Sequence, residues 1–200
     1  MREFILRASK TVTTPRFNLN DLPGSAGRMD LVCRCISNAL WISNDLRRDT
    51  VIHVVLEGPD RPPKLVSFNG KELRNVSPDE RNIASHIRIA LRKGYNLKLG
   101  EKAFVWPGIE IAKRSFESLV KEKSGTSQLI YLHPKGKDIR EVEFDENVCI
   151  VLGDYIGMPR ACERLLERLK AQKVSVGPIV YFSSVCISLV HNELDRRWIK

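Results

Sequence analysis

Val174-Ser-Val-Gly-Pro-Ile-Val-Tyr-Phe-Ser-Ser-Val-Cys186-Ile187 is the stretch whose reading decides the fold. A short apolar strand runs into a Gly-Pro turn, a second apolar stretch follows, and a serine then opens a helix. So close a succession leaves many loop N–H and C=O groups off any ladder and able to line a pocket. Two earlier segments end in the same manner. Leu152-Gly-Asp-Tyr-Ile-Gly157 follows one apolar strand, and Gln128-Leu-Ile-Tyr-Leu-His-Pro134 closes another. Taken together, the three strand ends read as the floor of a cofactor site.

The rest of the chain bounds what such a site can serve. Two hundred residues with 42% apolar content bury one sizeable core, and no repeat, low-complexity run or linker divides them, so a single domain over 1–200 is expected. Lys and Arg number 33 against 24 Asp and Glu, a net charge of +9. That balance favours an anionic partner such as RNA, DNA or a membrane surface, and its plainer reading is a basic solvated surface. The five cysteines are odd in number and show no C-x-x-C, which points away from a disulfide framework and towards a reducing cytoplasm. The histidines lack i+4 partners, so no metal is expected. No apolar run approaches the roughly 20 residues of a membrane span, and a soluble protein is expected.

Glu3–Ala8 reads as a strand, and a Pro- and Gly-punctuated loop runs to Gly27. Apolar positions from Met29 to Leu40 recur at helical spacing, and Val51–Leu56 is a buried strand closed by Glu57-Gly-Pro59. Leu65–Phe68 with Asn69-Gly70 suggests a small hairpin at a sheet edge. Ser77-Pro-Asp-Glu80 has the form of a capping box opening the next helix. Further helices are expected from Gly108 to Glu122 and from Pro159 to Ala171, with strands at 128–132, 147–152 and 174–176. Alternating strands and helices imply a mostly parallel sheet covered on both faces, with ligands at the carboxyl ends of strands.

No G-x-G-x-x-G or P-loop is present, which argues against Rossmann and P-loop nucleotide chemistry. On the helix after Pro78, Arg81, Arg88 and Arg92 share a face opposite Ile83, Ile87, Ala90 and Leu91. Lys71, Arg74, Lys93 and Lys98 extend that positive region; it reads either as a solvated face or as an RNA contact. Gly27-Arg28-Met-Asp30 and Asp45-Leu-Arg47-Arg48-Asp49-Thr50 combine guanidinium with carboxylate, as phosphate-binding arginines oriented by aspartates or as local caps and ion pairs. Cys186, just inside the last helix, is expected to feel the positive end of the dipole and to have a lowered thiol pKa.

The three strand-end segments resemble the S-adenosylmethionine loops of the SPOUT methyltransferases, whose C-terminal half forms a deep trefoil knot. Phe4-Ile-Leu-Arg7-Ala-Ser-Lys-Thr11, Gly27–Asp30, Leu46–Thr50 and His53–Pro59 further resemble one branch, the archaeal tRNA pseudouridine N1-methyltransferases that act at position 54 of the T-loop. The resemblance covers essentially the whole chain. It implies a SPOUT-type α/β fold with its knotted, cofactor-binding half at about 125–200, a homodimer, and methyl transfer from S-adenosylmethionine to tRNA. A sister family acting on a pseudouridine of small-subunit rRNA shares the cofactor segments, and an RNA-binding factor without catalysis is a further alternative. Carried onto this sequence, the cofactor residues would be Leu132, Gly153, Val176, Gly177, Pro178, Ile179, Val180, Tyr181 and Cys186. Leu132, Val176, Ile179 and Val180 supply an apolar slot for a purine, while Gly153 and Gly177 admit close backbone approach. Asp30, Asp60 and Asp154 are candidate bases or orienters. Arg7, Arg28, Arg47, Arg48, Arg81, Arg88 and Arg92 are candidate RNA contacts. The last helix, with Val185, Leu189, Val190, Leu194 and Trp198, offers apolar surface for a second copy.

Overall fold

A computed structural model describes residues 1–199. In chain order the elements are β1 (Arg2–Ala8), a one-turn α1 (Leu22–Ser25), α2 (Met29–Leu40), the two-residue strands β2 (Trp41–Ile42) and β3 (Asp45–Leu46), β4 (Thr50–Leu56), β5 (Lys64–Asn69), α3 (Glu80–Lys93), β6 (Lys102–Trp106), β7 (Ile109–Ala112), α4 (Phe116–Lys123), β8 (Gln128–Asp138), a 3-10 turn (Ile139–Glu141), β9 (Val148–Gly153), α5 (Arg160–Arg168), β10 (Gln172–Ser175) and α6 (Ser183–Trp198). Eight strands form one sheet in the order β10-β8-β9-β1-β4-β5-β7-β6. The first five run parallel, and β5, β7 and β6 complete the sheet in antiparallel fashion.

The central strands are apolar because both of their faces are covered. Phe4, Leu6, Ile52, Val54 and Ile150 pack beneath α2, α3 and α6, while Ile5, Val55, Cys149 and Val151 meet Phe116, Leu119 and Leu165 of α4 and α5. Each buried aliphatic side chain contributes roughly 1.5–3 kcal/mol. Register sets Leu6 beside both Val54 and Leu152, so the carboxyl ends of β1, β4 and β9 finish level. The ladder of β8 is broken: Lys173 pairs with Tyr131, but the next residue, Val174, pairs with Lys137. Residues 132–136 are therefore pushed out of the sheet. Gly136 makes this crossing possible, because a Cβ there would lie 2.4–2.6 Å from the backbone of Val174.

Four local expectations are corrected. Residues 109–112 are strand, since Ile109 and Ile111 turn inward with period two and pair with β5; the helix begins only at Phe116, capped by Ser115. The partner strand β6 was missed. β5 lies inside the sheet, between β4 and β7, because residues 102–112 build a further hairpin outside it. The capping box at Ser77 does not form. Asp79 accepts from the Asn82 amide at 2.8 Å and is the cap, while Ser77 donates to the Asp79 carboxylate; a charged acceptor at the positive helix end is the stronger choice. Among the described residues no helix is long and apolar enough to cross a membrane.

Candidate active site

A cavity of about 720 Å³ opens at the carboxyl ends of β1, β8, β9 and β10, where open α/β sheets place their ligands. Its floor is Leu6, Leu152 and Val174; its walls are the extruded Leu132-His133-Pro134, the loop Gly153–Met158, and the run from Ile179 to Cys186. The size suits a nucleoside-sized molecule. Three close approaches hold the walls. Ser183 Oγ donates to the Gly153 carbonyl at 2.8 Å. A Cβ at Gly153 would lie 2.8 Å from the Gly157 carbonyl carbon, and one at Gly177 would lie 2.9 Å from the Tyr181 ring.

Of the residues expected to hold a cofactor, Leu132, Gly153, Val176, Ile179, Val180, Tyr181 and Cys186 line the cavity. Gly177 and Pro178 stand behind it, shaping the turn. The expected acidification of Cys186 is corrected: burial pushes the thiol up, outweighing the hydrogen bond at the helix start.

The three aspartates are not brought together. Asp154 alone lines the cavity. It accepts from the Ser9 amide at 2.6 Å, the Ile156 amide at 3.0 Å and the Ser9 hydroxyl at 3.4 Å. A carboxylate has about four lone-pair sites, which leaves room for one more donor. Asp30 is 3% exposed and takes Arg28 bidentately at 3.0 Å, with Arg34 also at 3.0 Å. Burial opposes its charge, but the Arg28 hydrogen bonds win and hold its carboxyl below the usual range. Asp60 lies outside the cavity and accepts from the Tyr95 hydroxyl at 3.3 Å.

The arginines divide similarly. Arg28 lines the cavity, with its guanidinium 5.5 Å from the Tyr155 ring centroid. It adopts φ 67°, a left-handed conformation uncommon for a residue with a Cβ. Gly27 before it, at φ 60°, packs against the Lys10 carbonyl where a Cβ could not fit. Arg81 donates to Asn20, and Arg34 reaches Glu80 at 2.8 Å, so the basic face of α3 starts close to this mouth. Arg88 is half-buried, Arg92 is exposed, and Arg48 is 49% exposed. Arg7 is paired with Glu57, and Arg47 is held bidentately by Asp195 at 2.6–2.9 Å, both within the fold.

Among the lining residues that escaped sequence reasoning are Glu163 and Thr11. Glu163, in the first turn of α5, accepts from the Tyr131 hydroxyl at 2.9 Å, and Thr11 donates to the Gly27 carbonyl. An acid in a first helical turn reads as a dipole partner, so no signal set Glu163 apart.

Residues 1–199 match the family described as "Putative SAM-dependent RNA methyltransferase". The chain belongs to that family. Proteins of Methanocaldococcus jannaschii (45% identical over 204 residues, 100% of this chain and 98% of the relative) and Methanococcus maripaludis strain C5 (45% over 199 residues, 98% and 99%) carry the name tRNA (pseudouridine(54)-N(1))-methyltransferase. Among solved structures, Archaeoglobus fulgidus Nep1 bound to S-adenosylhomocysteine is similar in fold, with a TM-score of 0.63 at 15% identity over 98% of this chain and 97% of that one. The small-subunit rRNA methyltransferase E of Neisseria gonorrhoeae, bound to S-adenosylmethionine, shares the fold at a TM-score of 0.52 and 11% identity, covering 99% of this chain and 67% of that one.

Proposed function

We propose that the protein transfers a methyl group from S-adenosylmethionine to N1 of pseudouridine 54 in tRNA. The observation that carries this reading is the glycine-walled cavity at the strand ends, in a chain 45% identical over its full length to enzymes named for that reaction. The cavity residues fit the cofactor: Leu132, Val176, Ile179 and Val180 provide an apolar slot, Gly153 lets the backbone of Gly157 come close, and Gly177 behind the cavity leaves room for the Tyr181 ring. When bound, S-adenosylmethionine supplies a methyl on a positively charged sulfur.

The chain's own work is positioning. Displacement at the methyl carbon gains most from holding N1 in line at near-attack distance. Arg28, fixed by Asp30 and facing Tyr155, holds the RNA backbone or a base carbonyl at the cavity mouth. Asp154, with capacity for one more hydrogen bond, orients N1–H or accepts its proton. Arg81, Arg88 and Arg92 hold phosphates along α3, and Arg48, which precedes the amino end of β4 and donates to the Gly70 carbonyl, is a contact remote from the mouth. Asp60, outside the cavity, has no part in this centre. Transfer of labelled methyl to pseudouridine-containing tRNA tests the proposal.

The working form is a homodimer. Ile179, Val180 and Phe182 are 64–79% exposed beside the cavity, together with Tyr155, Ile156 and Val185, and a second copy seated there covers an apolar patch otherwise open to water. Light scattering that returns the monomer mass at micromolar concentration would remove this part. The C-terminal half, from about residue 125, is threaded as a trefoil knot. Supporting this, α5 packs on one face and α6 on the other, and Arg197 near the end of α6 donates to the carbonyls of Ile139, Arg140 and Val142, which follow β8. The whole chain acts as one domain in the cytoplasm, in keeping with its single large sheet and five unpaired cysteines.

A further inference from the structure

Of the charged side chains that line the cavity, Arg28 and Asp154 are taken up by the proposed reaction, and Glu163 is left over. Its carboxylate is held from one side. Oε1 accepts from the Tyr131 hydroxyl at 2.9 Å, and His133 Nε2 stands 3.8 Å from the same oxygen. Burial first, and the Glu163 carboxylate second, push the pKa of the Tyr131 phenol up, so its hydroxyl stays a donor. His133 accepts from the Lys135 amide through Nδ1 at 3.1 Å, which puts the proton of the neutral ring on Nε2, the atom nearest Glu163. The second oxygen, Oε2, has no hydrogen-bond partner among the described residues.

Position decides what that open oxygen can meet. Leu132 and Val176 pack into the layer that holds α2 and α6, whereas Tyr131 packs with Cys162 and Leu165 of α5 on the other face of the sheet. Arg28 stands at the start of α2, on the first of these sides, together with the cationic α3. Glu163 therefore lies across the sheet edge from the arginines assigned to RNA, and its charge would repel a phosphate. The cofactor is left as its partner. With the purine in the slot of Leu132, Val176, Ile179 and Val180, and the reacting methyl on the side of Arg28 and Asp154, the part without a place is the amino-acid tail. That tail ends in an ammonium, which needs one charged acceptor. A ribose diol is gripped best by both oxygens of a carboxylate, and Tyr131 already occupies one.

We infer that Glu163, steadied by Tyr131, binds the ammonium of the amino-acid tail of S-adenosylmethionine and so selects the complete cofactor over adenine nucleosides that lack the tail. The contact sets specificity and affinity; no bond is made or broken there. It rests on the cofactor reading above.

Calorimetric titration of the full-length chain with S-adenosylmethionine, S-adenosylhomocysteine and 5′-methylthioadenosine separates tail from nucleoside, because the last has the adenosine and the sulfur but no amino-acid tail. Glu163→Gln keeps an oxygen for the Tyr131 hydroxyl and removes the charge. It is expected to raise Kd for both tail-bearing ligands by roughly tenfold, the scale of a hydrogen bond between charged groups, and to leave Kd for 5′-methylthioadenosine unchanged. Tyr131→Phe keeps the carboxylate but frees it to swing, and is expected to give a smaller loss with the same split. Unchanged tRNA affinity serves as the check that each variant is folded. An equal loss for 5′-methylthioadenosine would move Glu163 to the nucleoside and overturn the assignment. Unchanged affinity for all three ligands overturns it as well, leaving Glu163 a partner of Tyr131 alone. If instead the wild-type protein binds none of the three, the cofactor reading itself fails and this contact with it.

Discussion

The Ser183 hydroxyl donates to the Gly153 carbonyl at 2.8 Å, fastening the start of α6 to the end of β9 across the cofactor cavity. One such bond contributes about 0.5–1.5 kcal/mol; its larger effect is to fix two walls with respect to each other. Gly153 is also the point where a side chain cannot be added, because its Cβ would strike the backbone of Gly157. Gly153→Val is expected to displace the 153–157 loop and lower S-adenosylmethionine affinity by tenfold or more, in line with overpacking costs of about 1–3 kcal/mol. Calorimetric titration checks this, and tRNA affinity is expected to hold.

Asp30 and Asp154 are expected to fail differently. Ser9 and Ile156 donate to different oxygens of Asp154; Asp154→Asn keeps one of these two bonds and loses the charge that draws N1–H, so kcat is expected to fall while KM for tRNA stays close to wild type. Asp30→Asn releases Arg28 from its bidentate hold and is expected to raise KM for tRNA more than it lowers kcat. Steady-state kinetics on both variants separates the two roles, and the reverse assignment would show as the reverse pattern.

Arg88→Glu puts a carboxylate on the cationic face of α3. Weaker tRNA binding and a salt slope shallower by about one unit are expected, with cofactor affinity unchanged because the cavity lies in other segments. Intact tRNA affinity would return this face to solvent and leave Arg28 and Arg48 as the remaining contacts.

His191 carries a pH dependence. Its Nδ1 faces Arg2, which can only donate, and its Nε2 faces the Ala39 carbonyl, which can only accept, so the buried ring is neutral. Burial, with Arg47 and Arg2 nearby, lowers its pKa to about 3. A depressed folded-state pKa means stability fully present above the ordinary value of about 6.5 and lost as pH falls towards 3. Glu3, buried but held by His53 and Lys123 at a pKa of about 2, adds a loss that begins below about 4.5. Urea titrations are expected to show a steady fall in stability from about pH 6.5 downward, less steep in His191→Gln, which can keep both hydrogen bonds.

The cavity was legible because its three segments each end a strand in a compact run of turn residues, and turn chemistry is local. The antiparallel margin was not. Ile109, Ala112, Phe116 and Leu119 satisfy helical spacing, while Ile109 and Ile111 also satisfy strand alternation, and only pairing with β5 decides between the two. Asp79 displaced Ser77 as a cap because neighbouring acceptors compete for the same amides. Arg7 and Arg47 read as free cations since their partners, Glu57 and Asp195, are 50 and 148 residues away. Long-range pairing of this kind leaves no trace in spacing.

The measurement closest to the central claim is methyl transfer itself. The protein is incubated with labelled S-adenosylmethionine and tRNA carrying pseudouridine at position 54, and the digested RNA is read by mass spectrometry. One labelled methyl on N1 of that pseudouridine is predicted, with none on tRNA carrying uridine there. Tight tRNA binding without label would contradict the account and leave an RNA-binding factor; label on a small-subunit rRNA fragment in place of tRNA would move the enzyme to the sister activity.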